Sequence, residues 1–163
     1  MKYVDLDAQI GGLTGVIDPT HYLGRLPELS GSLPPGALAF ATDPHHYSFS
    51  GKRCVKDLTL QQVSFLGNDG QDIEACFRHN CWKHDEDLMI RWTGVVDVRI
   101  GTPDGTSWSD LETVILDEIL PHDHGCSHEM AFRPGTLMIT CRDITATWVE
   151  TDCPDARQGQ GRS

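Results

Sequence analysis

A chain of 163 residues with a formal charge of −11 at pH 7 is long enough to bury one core and too short to build two. With 39% hydrophobic and 23% charged residues, its composition is that of a globular protein rather than a disordered one. Such acidity repels phosphate backbones, Lys52-Arg53 is the sole adjacent basic pair, and no apolar run approaches the roughly 20 residues of a membrane span; neither nucleic acid nor membrane is an expected partner.

Along the chain, residues 1–35 are expected to be irregular, because Gly11-Gly12, Pro19, Gly24, Pro27 and Pro34-Pro35 interrupt every element. One helical turn is the most that "TGVIDPTHYLGRLPEL" allows. The opening "MKYVDLDAQIGGL" lacks the basic end and apolar stretch of a signal peptide, so the cytoplasm is the expected compartment. "GALAFATD", 36–43, reads as a first short strand, and "HHYSFSG" as the turn after it.

From residue 54 the pattern becomes β. Leu58 and Leu60, then Val63 and Phe65, point to one face, and the slip of phase at Gln61-Gln62 predicts a bulge. "GNDGQ" is a turn, and "DIEACFRH" returns with Ile73, Ala75 and Phe77 inward. "DLMIRWTG" directs Leu88, Ile90 and Trp92 to one face, and Val96, Val98 and Ile100 continue beyond Gly94. "DLETVILDEILPH" fits either a helix stripe or a strand, and its β neighbours favour a strand. Strands follow at 127–132, 136–141 and 144–149, with turns at Arg133-Pro134-Gly135 and Arg142-Asp143. The segment 151–163 reads as a flexible polar tail. The expectation is one all-β domain over 1–150 with at most a minor helix, built as an antiparallel sandwich or a strongly curled sheet. Leu60, Phe65, Phe77, Ile90, Val98, Ile139 and Trp148 are its expected core.

Six cysteines, at 54, 76, 81, 126, 141 and 153, are expected to be free thiols, since a domain of this size needs no staple. Two Cys/His clusters raise metal chemistry, because zinc takes thiolate and imidazole ligands tetrahedrally. In "CFRHNCWKHDED", Cys76 and His84 differ in parity from His79 and Cys81, so an extended chain would separate them. That stretch reads as a strand and turn, with Trp82 folded back on the sheet and Asp85, Glu86 and Asp87 favouring charged imidazoles. His122, His124, Cys126 and His128 alternate at i, i+2, i+4 and i+6, so an extended segment would aim all four one way. They are the candidate metal ligands, for zinc or another divalent transition metal.

The run from "LTLQQVSF" through "CFRHNCWKHDEDLMIRWTGVVDVRI" to "GTLMITCRDITATW" resembles small bacterial β proteins of the immunity-protein 50-like group, on strand texture and "L-x-I-R-W-x-G-V". The resemblance implies no site residues and no cofactor. It implies a non-enzymatic binding module whose acidic surface meets a basic protein partner. The alternative from the residues themselves is a metal-binding β protein using the His122/His124 cluster.

Overall fold

The alternation read from residue 59 onward builds one antiparallel sheet. In the computed structural model, which describes residues 1–67 and 69–151, its strands are β3 Thr59–Leu66, β4 Asp72–Arg78, β5 Glu86–Thr93, β6 Asp97–Gly101, β7 Thr113–His122, β8 Gly125–Arg133, β9 Thr136–Cys141 and β10 Asp143–Glu150. They lie in the order β10-β5-β4-β3-β7-β8-β9-β6. The bulge is present: the β3–β4 register shifts between Leu60 and Gln62, keeping Leu60, Val63 and Phe65 opposite Phe77, Ala75 and Ile73. The ambiguous 111–121 segment is strand.

The sheet curls strongly. Trp92 on β5 donates to His128 on β8 although three strands lie between them in the sheet, and Phe77 stacks on Phe132 at 6.5 Å. The Arg142 amide, between β9 and β10, donates to the Thr93 carbonyl at 2.9 Å, so the end of β5 meets the far side of the sheet. Inside the curl lie Phe77, Leu88, Ile90, Trp92, Ile119, Met130 and Ile139, all buried. Each fully buried large side chain contributes about 1.5–3 kcal/mol.

Three expectations about the first half of the chain are corrected. Residues 1–35 are not irregular: β1 Asp5–Ile10 and β2 Leu13–Asp18 form a hairpin. Gly11 and Gly12, read as breakers, are its two-residue turn, with φ of 56° and 83°. Helix α1, Thr20–Leu29, accommodates Gly24 and Pro27 because Tyr22 and Leu26, one turn apart, are both buried. The segment expected as a strand at 36–43 is helix α2, Pro35–Ala41. A short apolar run does not declare its period, and here Pro35 at the first helical position decides it. The Asp143 carboxylate caps α2 by accepting from the Gly36 and Ala37 amides at 3.1 and 2.8 Å. No helix among the described residues is long and apolar enough to cross a membrane. The expected tail lies outside the described residues beyond Thr151.

Candidate functional site: an apolar cleft above a buried histidine–aspartate network

Strand β3 pairs with β4 along its length, but its other neighbour leaves early. Thr59–Thr113 is the one β3–β7 register pair, and the last amide bond between them runs from Leu60 to the Glu112 carbonyl. Beyond it, the outer edge of residues 61–66 has no strand partner among the described residues. Among the described residues, strand β6 pairs with β9 alone and is the sheet's other edge here. Between them lies a cleft of about 510 Å³, walled by Leu60, Val63 and Phe65 of β3, Val98 and Ile100 of β6, and Trp108 from the 3-10 turn before β7. Trp92, Ile73, Leu137 and Ile139 form its floor, and Gln61, Gln62 and Ser109 are its polar groups. An apolar lining with a few polar groups, at this volume, is the usual build of a binding site.

Phe65 and Val98, expected in the core, are instead 73% and 42% exposed, and Trp108 is 63% exposed. The alternation was read correctly, since both face inward. What fails is coverage: α1, α2 and the chain after them pack on the curl near β7 and β10, and nothing described closes the β3–β6 end. Leu60 and Trp148 are partly buried, while Phe77, Ile90 and Ile139 are fully so. A contiguous exposed apolar patch marks an interaction site more often than a packing fault.

The floor is held by a polar network. The Trp92 indole N–H, a donor only, reaches His128 Nδ1 at 3.1 Å, so that nitrogen accepts and the His128 proton sits on Nε2. Nε2 donates to Asp117 Oδ2 at 2.8 Å. The other oxygen, Oδ1, meets His46 Nε2 at 2.7 Å, and His46 Nδ1 donates to the Phe40 carbonyl at 2.8 Å. Both nitrogens of His46 therefore face acceptors, and the ring is an imidazolium. Burial would push the His46 pKa down, but the Asp117 charge and hydrogen bond, with the Phe40 carbonyl, outweigh it and raise it. For Asp117, burial would raise the pKa; the His46 charge and two imidazole hydrogen bonds prevail and hold it far below the usual carboxylate range. None of these three side chains has any solvent exposure. Their chemistry is positioning: they anchor α2 and the chain after it to β7 and β8, and fix the Trp92 ring beneath the cleft.

Sequence reasoning missed this network. His46 lies in the stretch expected as a turn, and the adjacent acids Asp117 and Glu118 are expected to face opposite ways on a strand. They do, and each finds its own partner: Glu118 accepts from the Lys2, Tyr3 and Val4 amides at 2.7, 2.6 and 2.8 Å. A charged pair inside an otherwise apolar strand, "VILDEIL", was the available signal.

The four candidate metal ligands are not brought together. The chain reverses at Asp123-His124, so His122 faces Gly125 across a hairpin and the assumed run of one extended strand ends there. His122 and His124 stack at 5.5 Å on the exposed turn, Cys126 is buried 3.7 Å from Cys141, and His128 belongs to the network above. Among the described residues no group of three or more His, Cys, Asp or Glu is arranged to hold an ion. The 76–87 stretch is a strand and turn as expected, with two corrections. Trp82 is 96% exposed rather than folded back. His84 is not charged by its acidic neighbours: burial lowers its pKa, and it accepts from the Asn80 amide while donating to the Cys54 carbonyl. Cys54, Cys76, Cys126 and Cys141 are free, as expected, but Cys81 is disulfide-bonded, and Cys153 lies outside the described residues.

No model of a known protein family matches the chain, and no curated protein does.

Proposed function

We propose that the protein is a non-enzymatic binding module that takes an extended basic segment of a partner polypeptide into the β3–β6 cleft, as a strand added beside β3. The observation that carries this reading is the loss of the β3 partner at Leu60, where the inward side chains Val63 and Phe65 also become uncovered. Unpaired edge amides next to side-chain pockets are what strand addition uses, the backbone giving affinity and alternate side chains giving selectivity. Charge selects the partner. The connections leading from the cleft walls, residues 67–72 and 102–112, contain Asp69, Asp72, Asp104, Asp110 and Glu112 and no Lys or Arg, within a chain of net charge −11. An immunity-like role, masking a basic partner by occupying one of its strands, accords with this chemistry.

Calorimetric titration with two peptides of alternating sequence, Lys/Val and Glu/Val, tests the reading. The basic peptide should bind, more weakly as salt rises and not at all to a Phe65→Ser, Trp108→Ser variant. Equal binding of both peptides, or binding indifferent to that variant, would overturn it.

A further inference from the structure

The turn after β4 places three reactive side chains in line. Its fold is set by Asn80, whose carbonyl accepts the Lys83 and His84 amides at 2.8 Å each and whose side chain accepts the Trp82 amide at 3.1 Å. That turn carries Cys81 back over His79, with Sγ 3.3 Å from Nε2. On the opposite side of the ring, Nδ1 is 2.6 Å from Asp87 Oδ1, which also accepts the His79 amide at 2.8 Å. A carboxylate accepts only, so Nδ1 carries a proton, and Nε2 is the nitrogen that faces the Cys81 sulfur. The neighbouring charges are engaged elsewhere: Lys83 with the Lys56 carbonyl and Asp57, Asp85 with Lys52, Glu86 with Arg53. His79 is buried, Cys81 half-buried and Trp82 exposed. Nucleophile, base and orienting acid in this order are the arrangement that activates a thiol.

We propose that Cys81 is a thiol–disulfide exchange centre, with His79 as its proton acceptor and Asp87 as the residue that positions His79, acting on low-molecular-weight or peptidyl thiols and disulfides. In the direction of opening, an incoming thiol loses its proton to solvent. The resulting thiolate attacks the sulfur to which Cys81 is bonded, forming a new S–S bond as the bond to Cys81 breaks. Cys81 leaves as a thiolate, and His79 Nε2, 3.3 Å away, takes a proton from solvent to become the imidazolium paired with it. A second thiol resolves the mixed disulfide, so two thiols supply the two electrons and leave as one disulfide. In reverse, the Cys81 thiolate attacks an external disulfide. Cys76 offers a contrast within the same stretch: it is free and also half-buried, but burial and the charges of Asp87 and Glu74 push its thiol up.

The test reads each cysteine separately. The oxidised protein is opened with dithiothreitol while the release of Cys81 is followed by mass spectrometry. The reduced protein is then alkylated with iodoacetamide from pH 5.5 to 8.5. Cys81 should react at least tenfold faster than Cys76 near pH 6.5. His79→Gln should remove that advantage and slow opening by dithiothreitol at least tenfold, and Asp87→Asn should shift the alkylation profile of Cys81 toward that of Cys76. Alkylation of the buried Cys54, Cys126 and Cys141 reports any variant that has lost its fold, and Asp87→Asn then decides. If Cys81 reacts no faster than Cys76, or neither variant alters its rate, the disulfide is structural only and the proposal fails.

Discussion

Replacing Asp117 separates two explanations of the buried network that a contact list would merge. In Asp117→Ala, the His46 imidazolium and the His128 donor lose their acceptor inside the core, which costs about 3–5 kcal/mol when one partner of a buried ion pair is removed. Asp117→Asn is isosteric, and His46 can release a proton to become an acceptor. The new amide then donates to His46 Nε2, its oxygen accepts from His128, and the Trp92 bond is untouched, so at pH 8 the cost is about 1 kcal/mol. The pH dependence should reverse. In the parent, the depressed Asp117 pKa gives stability that is present above the unfolded carboxyl value of about 4 and is lost as pH falls through the folded value. The raised His46 pKa gives stability that is complete below the unfolded imidazole value of about 6.5 and is lost as pH rises through the folded value. The network therefore contributes most between about pH 4 and 6.5. In Asp117→Asn, burial, the largest influence on His46, is opposed by the weaker Phe40 carbonyl bond and Asp43 charge and lowers its pKa, so stability falls as pH drops below about 6.5. Urea unfolding followed by far-UV circular dichroism reads both effects. The Ala–Asn difference at pH 8, for a slope near 2 kcal/mol/M, is about 1–2 M in midpoint. Equal midpoints for the two variants at pH 8, or parallel pH profiles for parent and Asn variant, would refute the assigned protonation states.

Three further outcomes follow from single contacts. Trp92→Phe leaves His128 Nδ1 without a donor, and should cost about 1–3 kcal/mol in the same urea assay while the far-UV spectrum is kept. Gly36→Ala places a methyl group 2.0 Å from the Ile144 carbonyl oxygen, so α2 must move off β10; calorimetric unfolding should show a loss of about 1–3 kcal/mol. His122→Ala with His124→Ala alters an exposed turn outside the network, and its urea midpoint should stay within about 0.5 kcal/mol of the parent.

What could be read ahead of the structure was what period and phase encode. From Thr59 to Ile100 each strand states its own inward face, and the slip at Gln61-Gln62 states its bulge. The first half was misread because its signals are two-sided. Gly-Gly can end an element or turn a hairpin, and a seven-residue apolar run such as Pro35–Ala41 is too short to show its period. The network was hidden because His46, Asp117 and His128 are 71 and 11 residues apart along the chain, and their meeting depends on how far the sheet curls. The cleft was hidden differently. Phe65 and Val98 carry a core pattern, and only the place where β3 and β7 part reveals that nothing among the described residues covers them.

Amide hydrogen exchange of β3 with and without the Lys/Val peptide is the most direct test of strand addition. In the free protein, those amides of residues 61–66 that face away from β4 should exchange fast, since no strand among the described residues pairs with them. On binding they should slow at least tenfold, while amides already bonded to β4 change little. Binding without new protection along 61–66 would show that the peptide does not join the sheet, and would contradict the account.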